Sequence, residues 1–144
     1  MLSSDTLENY EKAHQIEWAS ELPDGCPPEQ ILVPDEDIFY RLTIDEDRIT
    51  TEDLKSHLEL YPNKNYLGFN RITASGVSVL DAMPDETKRN LPRLRRFKGV
   101  AKLTLSATDG VLMKSGPDEH HYTWWPTTYF DISVSAEIVK DENT

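Results

Sequence analysis

From Lys98 onward the chain is written in short apolar runs cut by turn residues, and this patterning limits the fold more than any other feature. Lys98 to Ala107 and Val111 to Lys114 are strand-like segments separated by Thr108-Asp109-Gly110. Asp-Gly supplies the positive φ angles of a tight β-turn, so the spacing predicts a hairpin. Tyr129 to Val139 alternates Phe130, Ile132, Val134, Ala136 and Ile138, the period-two pattern of one long strand. Upstream, Ile38 to Ile44 is rich in aromatic and β-branched residues and predicts another strand, ended by Asp45-Glu46-Asp47. Leu67 to Thr73 and Val77 to Leu80 read as extended pieces around Ser75-Gly76, and Pro117 to Pro126 as a polar and aromatic loop or short strand.

The helical signals are brief. Leu7, Tyr10, His14 and Trp18 recur at three- and four-residue steps between Asp5 and Ser20, an amphipathic stripe with Ser4 as its expected N-cap. Thr50 or Thr51 is placed to cap a second helix through Tyr61, with Leu54, Leu58 and Tyr61 on one face and Pro62 closing it. Pro84-Asp85-Glu86 opens a third, which Pro92 interrupts. Glu21 to Pro34 carries Pro23-Asp24-Gly25 and Pro27-Pro28 and reads as a connection. The expected organisation is an N-terminal helix and Pro-rich connection over 1–34 and a body over 35–144, within one globular domain, as 144 residues allow. The fold class is α+β: a largely antiparallel sheet, carried by the C-terminal half, with two or three short helices packed on it. The last five residues are expected to fray.

Charge is distributed unevenly. Residues 1–60 hold sixteen Asp and Glu against four Lys and Arg, a balance of −12; residues 61–144 hold ten against eleven, a balance of +1. The net charge of −11 therefore belongs to the front of the chain. An acidic balance repels phosphate backbones and anionic lipid, which disfavours nucleic-acid and membrane partners. No signal-like start and no run of eighteen apolar residues is present, so the expected location is cytoplasmic. Cys26 is the single cysteine, which excludes an internal disulfide. No cofactor is implied, because neither a Gly-rich phosphate loop nor a G-x-S-x-G elbow occurs.

Five groups of residues are candidates for function. The acidic segments Asp35-Glu36-Asp37 and Asp45-Glu46-Asp47 could face a protein partner with a basic surface. Trp124 and Trp125 could anchor such a partner or fill the core, and core packing is the commoner use. Lys88, Arg89, Arg93, Arg95, Arg96 and Lys98 form a cationic run that could bind anions or nucleic acid, or could pair with the acidic segments inside the fold. Asp118-Glu119-His120-His121 is dense in reactive side chains, but adjacent histidines on a strand point to opposite faces, and a metal would need His14 or His57 as well.

The fifth group is enzymatic. Phe39-Tyr40-Arg41, Ser75-Gly76-Val77-Ser78 and Glu119 or Glu137 resemble, as isolated residues, the set used by mono-ADP-ribosyltransferases. That resemblance implies Arg41 on the NAD pyrophosphate, Ser78 at the nicotinamide end and Glu137 on a ribose hydroxyl. The chain departs from the pattern in the spacing of its serines and in lacking a Gln/Glu-x-Glu motif. The sequence reads first as a small acidic interaction protein, such as an inhibitor, an immunity-type protein or an accessory subunit, rather than as an enzyme.

Overall fold

A computed structural model describes residues 1–66, 69–85 and 89–140. Its centre is an eight-stranded sheet in the order β1-β2-β6-β7-β4-β3-β5-β8. The strands are β1 (Ser3–Thr6), β2 (Gln30–Val33), β3 (Asp37–Thr43), β4 (Val77–Leu80), β5 (Gly99–Leu105), β6 (Gly110–Lys114), β7 (His121–Pro126) and β8 (Ala136–Ile138). Every neighbouring pair is antiparallel. Among the described residues four short helices accompany it: α1 (Leu7–Ala13), α2 (His57–Leu60), α3 (Phe69–Ala74) and α4 (Ile132–Ser135). The antiparallel sheet expected from the sequence is present, and it is larger than the C-terminal half alone, because β1, β2 and β3 come from the first 43 residues.

The sheet is curled. β5 and β6 lie four strand positions apart, which across a flat sheet is about 19 Å at ~4.8 Å per strand. Only a 3₁₀ turn, Ala107–Asp109, joins them, and such a turn climbs only about 2 Å per residue. Bending the sheet brings the two strands within its reach.

This connection replaces the expected Asp-Gly hairpin. The Asp109 carboxylate accepts the Ser106 N–H at 2.8 Å and the Ser106 hydroxyl at 2.9 Å, forming a capping box instead of a hairpin turn. Gly110 then takes φ 130° with its Cα against the Trp125 carbonyl, where no side chain would fit. β6 therefore pairs with β2 and β7, and β5 with β3 and β8.

Other expectations shift where a side chain captures the backbone. The first helix ends at Ala13, and its cap is Thr6, which accepts the Asn9 N–H, because Ser3–Thr6 pairs with β2. Trp18 instead bridges to Thr127, while Tyr10 still stacks over it and against His14. The helix expected from Thr50 to Tyr61 is broken in two. Asp53 captures the Thr50 N–H in a 3₁₀ turn over Thr51–Leu54, and Ser56 restarts the chain as α2 through a second capping box with Glu59. The long strand expected over 129–139 is cut because Asp131 accepts the Ser133 N–H and nucleates α4, leaving Ala136–Ile138 as β8. Phe69–Ala74 is helical rather than extended, a turn that brings Ile72 and Ser75 under Trp125. Leu67, Gly68, the 86–88 part of the third expected helix and the 141–144 terminus lie outside the described residues.

Strand alternation gives β6 and β7 two buried faces. Leu112 and Trp124 are paired and point into the curled sheet with Phe39, Val77, Val79, Leu103 and Leu105. Val111 and Trp125, also paired, point the other way, beneath Tyr10 of α1 and Ile31 of β2, with Ile16, Trp18 and Leu22 at the rim. The N-terminal segment is thus the cover of the second core. Among the described residues no helix is long and apolar enough to cross a membrane.

Candidate functional site

Trp124 and Trp125 are both 0 % exposed, so neither is a surface anchor. Each indole N–H is also satisfied internally, Trp124 donating to the Asp109 carbonyl at 3.1 Å and Trp125 to the Ser75 hydroxyl at 2.9 Å. Core packing accounts for the pair. The partner-surface role considered for them is corrected accordingly.

The acidic segments lie at the two ends of β3, roughly 20 Å apart at ~3.4 Å per residue. At the first end, Asp37 accepts the Asp35 N–H at 2.8 Å and pairs with the N-terminal ammonium at 3.3 Å. Asp35 and Glu36 remain exposed, with Glu36 in the left-handed region at φ 59°. At the second end, Asp45 accepts the Asp47 N–H at 2.8 Å and the Arg48 guanidinium at 3.2 Å. The Asp47 N–H, with Arg48 beside it, holds the Asp45 carboxyl below the usual range. Asp47 meets Lys140 at 3.3 Å, and Glu46 points to solvent. Among the described residues no ion pair joins either segment to Arg93, Arg95, Arg96 or Lys98.

The cationic run divides. Arg95 turns back to the Asn90 carbonyl at 3.1 Å, Arg89 reaches the Lys98 carbonyl at 3.5 Å, and Lys98 donates its backbone N–H to Ile44. Arg93 is exposed, and Lys88 lies outside the described residues. Arg96 lines a concavity, its guanidinium 4.7 Å from the Phe97 ring centre. There it meets residues that sequence reading did not connect to it: His57, Leu60, Tyr61 and Lys64 line the same cleft of about 520 Å³. No local signal could have found this grouping, because Lys64 and Arg96 are separated by thirty-one intervening residues.

His57 feels the cluster. Partial burial, then the Lys64, Arg41 and Arg96 charges, lower its pKa below the ordinary histidine value, so the ring is neutral at pH 7. Arg41 lies behind the cleft, its guanidinium donating to the carbonyls of Asp53 at 2.8 Å and Ser78 at 2.9 Å. Burial lowers its pKa to about 10, with Asp53 opposing the change and Arg96 adding to it.

Arg41, Ser78 and Glu137 do not converge. Cross-strand partners share a face of a sheet, and Arg41 pairs with Ala101, which pairs with Ile138, so Arg41 faces inward with Phe39. Glu137 pairs with Lys102, which pairs with Tyr40, on the outer face, where its carboxylate is 3.7 Å from the Lys102 ammonium. Ser78 lies between the buried Val77 and Val79, its exposed side chain on the opposite face from theirs. Only its carbonyl meets Arg41.

The histidines diverge as well. His120 bonds Asp81 at 2.7 Å, with Glu119 at 3.4 Å from its other nitrogen, while His121 lies 3.0 Å from the Ser115 hydroxyl. Burial, followed by Asp81, raises the pKa of neighbouring Tyr122. Neither His14, whose ring lies tilted against Tyr10, nor His57 joins them. Among the described residues no group of three or more His, Cys, Asp or Glu is disposed to hold a metal ion. Comparison with protein-family models, curated proteins and solved structures gives no match to this chain.

Proposed function

We propose that this protein acts by association: it is a small acidic interaction module whose anionic front portion meets a partner with a basic surface. The observation that supports this reading is that eight exposed carboxylates are not neutralised from within. Among the described residues Glu11, Glu17, Glu21, Asp24, Glu29, Asp35, Glu36 and Glu46 are exposed and carry no ion pair. The Arg93–Lys98 run, the natural internal counterpart, pairs with none of the two acidic turns. An unneutralised anionic surface accelerates encounter with a cationic one and repels anionic competitors. A partner touching both ends of β3 spans roughly 20 Å, within the dimensions of a standard protein interface.

The test is capture of partners from the native cell extract by the wild-type chain and by Glu36→Lys/Glu46→Lys, at low and high salt. Electrostatic association holds a partner at about 50 mM salt and releases it at about 500 mM, where the Debye length has shrunk to a few ångströms. The doubly reversed chain is expected to lose that partner at both concentrations. A wild-type chain that stays alone at low salt, or a partner held equally by the reversed chain, contradicts the proposal.

A further inference from the structure

The cleft between α2 and Arg96 presents charge of the opposite sign to the rest of the molecule. Leu60 and Tyr61, 43 % and 49 % exposed, offer it an apolar side, and Lys64 and Arg96 a cationic one, with the neutral His57 beside them. The chain following α2 is held in shape. Tyr61 donates its N–H to the His57 carbonyl at 2.7 Å, Lys64 to the Tyr61 carbonyl at 3.2 Å, and the Tyr66 hydroxyl lies 3.2 Å from both carbonyls, as their shared donor. Tyr61 and Lys64 are therefore presented by a closed loop.

Neither Lys64 nor Arg96 has a carboxylate partner among the described residues, although the chain carries 26 acids. Like charges gathered without a counter-ion repel one another, and the effect is felt at His57 and at Arg41 behind it. An anion placed between them relieves that repulsion and uses the planar fork of Arg96 for paired hydrogen bonds. The volume, about 520 Å³, lies within the roughly 300–1,000 Å³ of small-molecule sites.

We propose that this cleft binds a small organic phosphate, its phosphate held by Lys64, Arg96 and His57 and its aromatic or apolar body lying on Tyr61 and Leu60. Phosphate is favoured over a single carboxylate because its charge and several oxygens match the three donors that line the cleft from α2, the following loop and the Arg96 turn. A nucleic-acid polymer is disfavoured, because Arg95 is turned away to Asn90 and the chain as a whole carries a net charge of −11. The proposal is independent of the acidic interaction surface.

Calorimetric titration of the full chain with inorganic phosphate and with phenyl phosphate tests it. Phenyl phosphate is expected to bind about tenfold more tightly than inorganic phosphate, as a stacked ring adds to the ionic contact. Arg96→Ala and Lys64→Ala are each expected to weaken both ligands by about tenfold. Tyr61→Ala should remove the advantage of the phenyl ring and leave inorganic phosphate unchanged. Arg96→Lys keeps the charge but not the fork and is expected to fall between wild type and Arg96→Ala. Arg93→Ala, outside the cleft, should bind like wild type. No heat of binding with either ligand at about 20 mM, well above millimolar dissociation constants, overturns the proposal. So does an equal loss in Arg93→Ala and Arg96→Ala, which would mean diffuse attraction to the arginine run.

Discussion

Asp37, Asp45 and Asp53 each fold a carboxylate oxygen back onto a backbone N–H, whereas Lys64 and Arg96 reach away from the backbone that carries them. The contrast is one of side-chain length. A carboxylate one carbon from Cα can close an Asx-type ring on its own turn, and in doing so it becomes part of the fold. Long cationic side chains reach further: Arg95 returns to the Asn90 carbonyl, whereas Lys64 and Arg96 line a cleft with residues of another segment. A count of charges therefore overstates the anionic surface in the two acidic turns, where Asp37 and Asp45 serve as turn residues. It hides the cationic one, assembled from separate parts of the chain.

The largest effect that would sharpen this comparison is at Asp53. Its buried carboxylate accepts the N–H groups of Ile44 at 3.0 Å and Thr50 at 2.9 Å. Asp53→Ala strands both donors and is expected to cost about 2–4 kcal/mol in denaturant unfolding. A loss below about 0.5 kcal/mol, the scale of a surface change, would erase the distinction between structural and surface acids.

The burial of Tyr10 supplies the next effect. Tyr10 is buried, its hydroxyl donating to the Ala107 carbonyl at 2.7 Å, and burial, assisted by the Asp109 charge, pushes its pKa up to about 12. The unfolded chain ionises at the ordinary value of 10.0. Stability is thus intact below pH 10 and falls as pH rises toward 12, by about 2–3 kcal/mol for this group. Alkaline unfolding curves of wild type and Tyr10→Phe should show that slope only in the wild type; parallel curves would contradict the assignment.

A smaller effect is expected at Asp37, where Asn substitution removes the charge facing the N-terminal ammonium at an exposed site. The cost should be about 0.5–1 kcal/mol. Smallest of all, Glu36→Gln and Glu46→Gln should lie within about 0.5 kcal/mol of wild type, and thermal unfolding that separates them further would place those carboxylates in the fold after all.

Much of the sheet was legible because strands advertise themselves by period. Ile38–Ile44, Val77–Leu80 and the two runs after Lys98 all became strands at nearly their expected bounds. Which strand pairs with which was not legible. Asp109-Gly110 satisfies hairpin chemistry, yet the Asp109 side chain closes a 3₁₀ turn on Ser106, and β6 leaves for the far side of the sheet. Ser56 and Asp131 misled in the same way: each caps a short helix inside a segment whose apolar spacing suggested one continuous element. Arg96 was visible as part of a basic run. Its association with His57, Tyr61 and Lys64 is tertiary and left no trace in spacing.

The account rests on the acids of the β3 turns and the Arg93–Lys98 run remaining unpaired within one molecule. A double-mutant cycle for stability between Glu46→Gln and Arg96→Gln measures this directly, since contacting charges couple and separated ones add. We predict a coupling within about 0.3 kcal/mol of zero at low salt. A favourable coupling of about 1 kcal/mol or more would mean that the chain neutralises its own acidic surface, contradicting both an external basic partner and an open cationic cleft.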